Sequence, residues 1–219
     1  MNATFVSGVA AMAVASFAAA GFTSLSVEQS TNAQGNTVFK IFANFDNVGL
    51  GAGQNWVFLN AYNFTTTVGS MNAFHSGSGE GTWVPQGTST ASHVGNDSWV
   101  SATGTHVGSG VALDPGFVEF DADGNPIPGV AEQIPNGAGW YDASPATANN
   151  VTANKIQLMQ IVRAGGPGAA YTASLALTYK VSGTTAALTG NGNFSIGAVP
   201  APGAVALMGL AGLTGRRRR

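Results

Sequence analysis

Tyr171-Thr172-Ala173-Ser174-Leu175-Ala176-Leu177-Thr178-Tyr179-Lys180-Val181 decides the fold. Tyr171, Ala173, Leu175, Leu177, Tyr179 and Val181 are spaced by two, and Thr172, Ser174, Ala176, Thr178 and Lys180 fill the gaps. Side chains of an extended chain point alternately to opposite faces, so this spacing is that of a half-buried β-strand. A helix would repeat its apolar residues every three or four positions.

The same reading extends outward from that stretch. Thr37–Phe45 places Phe39, Ile41, Ala43 and Phe45 on one face, and 56–64 does so with Trp56, Phe58, Tyr62 and Phe64. Lys155–Arg163 is a further strand, with Ile156, Leu158 and Val162 on one side. Shorter strands are expected at 22–28, 98–102, 117–120, 184–188 and 193–196. Gly, Asn, Pro and Ser cluster between them, at 47–54, 76–81, 121–129, 135–139 and 165–168, which is the chemistry of turns. Outside the two ends, no run of ten or more residues carries a helical period, and no repeat of fixed length occurs. The expected fold is all-β: a single antiparallel β-sandwich or jelly-roll-like domain over 21–198, with a hydrophobic helical segment at each terminus.

Composition narrows the function classes. Charged residues make up 8% of the 219 residues, against about 25% in an ordinary soluble domain. The 44% apolar content is enough to build a core. The absence of cysteine excludes disulfides and thiolate metal sites. Residues 21–198 hold four basic and ten acidic side chains, a formal charge of −6. No electrostatic footprint for nucleic acid is expected on such a domain.

The two ends read differently from the middle. Residues 5–20 are almost wholly Ala, Val, Phe, Met, Gly and Ser, and Ala18-Ala19-Ala20 supplies small residues at a cleavage position before Gly21. That is the pattern of a secretory signal peptide over 1–20, cut after Ala20 with Ala18 at the other small-residue position, although no Lys or Arg precedes the apolar run. At the other end, Val199-Pro200-Ala201-Pro202-Gly203 is an extended, helix-breaking punctuation. Residues 204–215 carry no charge, and Arg216, Arg217, Arg218 and Arg219 follow. A stable transmembrane helix needs about 20 apolar residues. Here there are 12, or 17 counted from Val199, so the segment suits a transient anchor whose arginines stay on the cytoplasmic side.

This three-part tail, 199–219, resembles the PEP-CTERM sorting signal, in the variant associated with planctomycete-like bacteria. The matching residues are Val199, Pro200, Pro202 and Gly203, then Leu207, Leu210 and Leu213, then the four arginines. The family usually has Glu between the prolines, where this chain has Ala201. The resemblance covers about 21 residues. It implies recognition by an exosortase, a membrane protease, transient contact with the inner membrane, and delivery to the cell surface or the extracellular space.

Three groups of residues are candidates for chemistry in the domain. Asp121, Asp123 and Asn125 offer hard oxygen ligands to calcium, although Asp-Gly-Asn is also an ordinary turn sequence. Trp140 and Tyr141 sit in a Gly-rich stretch and are the candidates for stacking on extracellular polysaccharide, whereas Trp56 and Trp99 lie in strands and are expected in the core. His75, His93 and His106 lack metal-ligand spacing and read as separate loop or surface residues. No nucleophile elbow or phosphate-binding Gly loop occurs. Glu119 and Asp142 are acids of the kind a glycosidase pairs, but spacing in sequence does not bring them together. The expectation is an exported, non-catalytic surface or matrix protein, with a carbohydrate-binding adhesin as the alternative and a secreted hydrolase third. No cofactor is expected beyond calcium at the Asp121 loop.

Overall fold

The computed structural model describes residues 21–75, 83, 95–102, 111–114, 117, 132–142, 149–151 and 153–197. These form ten strands and no helix: β1 Phe22–Thr31, β2 Thr37–Phe45, β3 Trp56–Val68, β4 Trp99–Val100, β5 Val111–Leu113, β6 Trp140–Asp142, β7 Asn149–Asn150, β8 Lys155–Arg163, β9 Tyr171–Val181 and β10 Ala187–Ile196. All pairings are antiparallel. One sheet has the order β1-β2-β8-β4, and the other has the order β10-β9-β3-β6-β5, with β7 also on β3. The helical segments expected at 1–20 and 199–219 lie outside the described residues.

Both sheets contribute to one hydrophobic core. Phe39, Ile41 and Ala43 of β2 and Ile156, Leu158 and Ile161 of β8 join Phe58, Ala61, Phe64, Leu175, Leu177 and Tyr179 of β3 and β9. The alternation in β9 is as the sequence indicates: Tyr171, Ala173, Leu175, Leu177 and Tyr179 are buried.

Bulges correct the face assignments elsewhere. In β3, Phe58 pairs with Tyr179 but Asn60 with Thr178, leaving Leu59 as an extra residue. An inserted residue flips everything after it to the other face. Ala61 therefore points inward and Tyr62 outward. A second irregularity follows between Tyr62 and Thr65, where Asn63 takes φ 51°. It returns Phe64 to the core at 0% exposure. In β8 the extra residue is Leu158, since Ile41 pairs with Met159 and Phe42 with Gln157. Ile156 and Leu158 stay inside, followed by Met159 and Ile161, and Val162 moves to the other face.

The two sides of the molecule are closed by different devices. On one side β1 packs against β10. Gly190 and Gly192 of β10 make room for it: a Cβ at Gly190 would stand 2.5 Å from the Phe22 ring, and one at Gly192 would stand 2.6 Å from Leu25. These glycines sit inside a strand because another side chain occupies their space, which joins the separate strands expected at 184–188 and 193–196 into one. On the other side, Trp140 of β6 donates its indole N–H to the carbonyl of Ser101, just past β4, at 3.0 Å.

The strands also give the molecule two distinct poles. At the first, Phe45 packs edge-on against Phe22 and Tyr179, with ring centroids 5.9 and 5.2 Å away, and stacks on Trp56 at 6.2 Å. Trp56 Nε1 donates to the Asp46 carbonyl, and Tyr179 Oη accepts from the Phe22 amide. The second pole carries the turns after β1, β3 and β8, and Arg163 ties it together.

Candidate functional site

Three groups of candidate residues lie outside the described residues: Ala18 and Ala20 at the signal-peptide cleavage; Val199, Pro200, Pro202, Gly203, Arg216, Arg217, Arg218 and Arg219 in the tail; and Asp121, Asp123 and Asn125 at the proposed calcium loop. His93, His106 and Glu119 are outside them as well. Among the described residues, no group of three or more His, Cys, Asp or Glu is placed to hold a metal ion.

The structure separates Trp140 from Tyr141. Both belong to strand β6, not to a loop, and neighbouring strand residues face opposite ways. Trp140 is fully buried, and its indole N–H bridges the sheets. It therefore has no face to offer a sugar, which corrects the sequence reading. Tyr141 is 41% exposed on the outer face of the six-stranded sheet.

That outer face has a second tyrosine, one that the sequence pattern assigns to the core. Tyr141 pairs with Asn60, and Tyr62 lies two residues further along the same strand, half-buried. Gly139 stands across from Tyr62, where a Cβ would come within 2.9 Å of Tyr62 Cα and 2.7 Å of the Asp114 carboxylate. The glycine thus leaves space that Tyr62 and Asp114 border. Across β9 and β10 the face continues as opposed pairs: Thr178 with Thr189, Ala176 with Asn191, Ser174 with Asn193, and Thr172 with Ser195. The Thr172 and Ser195 hydroxyls hydrogen-bond at 2.9 Å. Lys180, opposite Ala187, closes one end of this stretch. The surface is hydroxyl- and amide-rich, a chemistry that suits weak contact with a polar polymer.

His75 lies in the loop after β3 with its side chain turned inward. Its Nδ1 lies 3.0 Å from Asp97 Oδ1, with the two side chains 7% and 1% exposed, and its ring meets Trp83 edge-on at 5.1 Å. The adjacent Ser98 has a structural role, because its hydroxyl donates to the Phe74 carbonyl at 2.8 Å and accepts from the Val162 amide at 2.9 Å. That hydroxyl replaces ladder partners between the 69–75 loop and β8, so it is committed to the backbone.

Arg163 is the residue whose role sequence reasoning missed. It is 3% exposed at the end of β8. Its Nε donates to the Met71 carbonyl at 2.7 Å, Nη2 to Ser70 at 2.8 Å, and Nη1 to Pro167 at 2.7 Å and Ala169 at 2.6 Å. Its guanidinium also lies 5.9 Å from the centre of the Phe39 ring. Burial lowers its pKa, and Tyr171 opposes this by favouring the charged form. A guanidinium stays protonated in proteins, so four carbonyl dipoles hold a buried cation here. Tyr171, pushed up to about 12 chiefly by burial, hydrogen-bonds Thr66 Oγ1 at 3.1 Å.

An open depression of about 330 Å³ lies beside this cluster, lined by Asn72, Ala73, Phe74, Glu132 and Ala164. Glu132 is its one ionisable lining residue among the described residues. Comparison with models of protein families, with curated proteins and with solved structures finds no match to the chain.

Proposed function

We propose that the chain is an exported, non-catalytic cell-surface or extracellular-matrix protein, whose β-sandwich is cargo delivered by a signal peptide and a C-terminal exosortase-type sorting tail. The observation that carries this reading is the order of physical elements after the domain: a Val199-Pro200-Ala201-Pro202-Gly203 punctuation, a short charge-free run that spans a bilayer only by thinning it or letting the arginines reach outward, and four consecutive arginines. The leader ending at Ala20 supports export. Two antiparallel sheets around one core, with a Thr/Ser/Asn-rich face, support a display role. The partners are an exosortase-type protease and, transiently, the inner membrane; nucleic acid is not among them.

Replacing Arg216, Arg217, Arg218 and Arg219 with alanine tests this in a host that carries the sorting protease. The expected result is an unprocessed protein that no longer reaches the cell surface. An unchanged destination and an unchanged mature mass would remove the sorting role.

A second reading is favoured by one specific observation, the exposed Tyr141 beside Tyr62 and Asp114 on an otherwise hydroxyl- and amide-rich sheet face. Tyrosine offers a sugar ring a rigid apolar surface with a polar tip. In this reading the protein is a weak carbohydrate-binding adhesin that uses Tyr141 and Tyr62, with Trp140 as their support, and calcium at Asp121, Asp123 and Asn125 assists. A glycan array run with and without chelator tests it: binding lost in Tyr141→Ala supports the adhesin, calcium-dependent binding supports the metal loop, and no binding under either condition removes both.

A further inference from the structure

We infer that the domain is held with a fixed polarity while its tail is in the membrane: the Arg163 pole faces the bilayer and the 46–55 loop is presented outward. The inference rests on the tail being a membrane segment, as proposed above, and goes further by assigning which end of the domain meets the lipid.

Register fixes the two poles. Arg163 pairs with Thr37 at one end of the four-stranded sheet, and Phe22 pairs with Phe45 at the other. In the second sheet Ile196 pairs with Tyr171, and Ala187 with Lys180. Arg163 bonds the Ala169 carbonyl, which places Ile196 at the Arg163 end. The aromatic contacts of Trp56 with Phe45 and Tyr179 place the start of β3 at the other. The chain therefore enters the domain at Gly21 beside Trp56 and leaves it at Gly197 beside Arg163. Ten residues of β10 separate the poles by about 30 Å.

The exit point is clamped. Gly197 has φ +89°, and a Cβ there would overlap the Ala169 carbonyl and stand 2.8 Å from Arg163 Nη1. The apolar run begins at Ala204, and the intervening chain cannot span more than about 25 Å even when fully extended. The tether is thus shorter than the domain is long.

The placement rests on the tether rather than on charge. The three turns at the exit pole, 32–36, 69–72 and 164–170, contain no ionisable residue, but the exposed Glu132 lines the depression beside them. Asp46, Lys155, Lys180 and the exposed Val48 lie at the far pole.

The chain has no cysteine, so single cysteines report cleanly. The signal-processed chain, residues 21–219, retains every strand and the whole tail. It is reconstituted with phosphatidylethanolamine and phosphatidylglycerol vesicles carrying an acceptor lipid dye, as Ala164→Cys or Val48→Cys labelled with a donor. Given poles about 30 Å apart, energy transfer should be at least about twofold stronger from position 164 than from position 48. Equal or reversed transfer in chains that float with the vesicles would overturn the polarity while leaving the anchor in place. Chains that fail to float would overturn the anchor, and the polarity with it.

Discussion

The indole N–H of Trp140 reaches the Ser101 carbonyl at 3.0 Å and joins the six-stranded sheet to the segment after β4. One residue later, Tyr141 points to solvent from the same strand. A structural and a surface role are thus divided between adjacent aromatic residues by strand alternation alone. Trp140→Ala should cost about 3–5 kcal/mol, combining lost burial, a cavity and an orphaned carbonyl. Tyr141→Ala should stay within about 0.5 kcal/mol. Urea denaturation of both variants checks the contrast; equal losses would mean that Tyr141 also packs in the core.

Arg163 supplies a second contrast. Arg163→Ala removes a cation held by four carbonyls and leaves the Ser70, Met71, Pro167 and Ala169 oxygens to find other partners. A loss of about 3 kcal/mol or more is expected. Arg163→Lys should recover only part of it, because an ammonium has three donors and no planar fork. Hydrogen exchange should show the 164–170 turn and the end of β10 opening first in both variants. Uniform destabilisation of the whole domain would argue against a local staple.

Much of this architecture is legible in the sequence. The spans of β2, β8 and β9 follow from alternation and flanking turn residues. The bulges at Leu59, after Tyr62 and at Leu158 are not legible, because an inserted residue leaves the strand-like composition intact and only shifts its phase. For that reason simple alternation assigns Tyr62 to the core and Val162 to the wrong face. Gly190 and Gly192 look like a turn between two short strands, since glycine signals both flexibility and close approach, and only the position of β1 decides between them. Trp140 looks exposed because Gly137 and Gly139 precede it. Short pairings such as β5, β6 and β7 depend on distant partners and carry no period of their own. The Arg163 clamp is hidden because its acceptors are backbone carbonyls, which no side-chain motif reveals.

The packing of β1 on β10 predicts a size limit. Gly192→Val should destabilise the domain by about 1–3 kcal/mol through overpacking against Leu25. Gly192→Val combined with Leu25→Ala should recover part of that loss, a coupling that a double-mutant cycle in urea measures. Strict additivity would show that the two residues do not share the same space.

Alkaline pH should weaken the domain through Tyr171. Folding raises its phenol from the ordinary 10 to about 12, mainly by burial. The fold therefore prefers the protonated form. This contribution is complete below pH 10 and is lost as pH rises through 12, at about 3 kcal/mol for two pKa units. The tyrosinate absorbance of the native protein should show a late step that shrinks in Tyr171→Phe, the remainder coming from Tyr179, which burial also raises. A step of undiminished amplitude would assign it to other tyrosines alone.

The central claim is delivery through the two ends of the chain, and intact-mass spectrometry of the exported protein tests it most directly. The account predicts a product that begins at Gly21 and lacks Arg216, Arg217, Arg218 and Arg219. An exported product that retains those four arginines would contradict it.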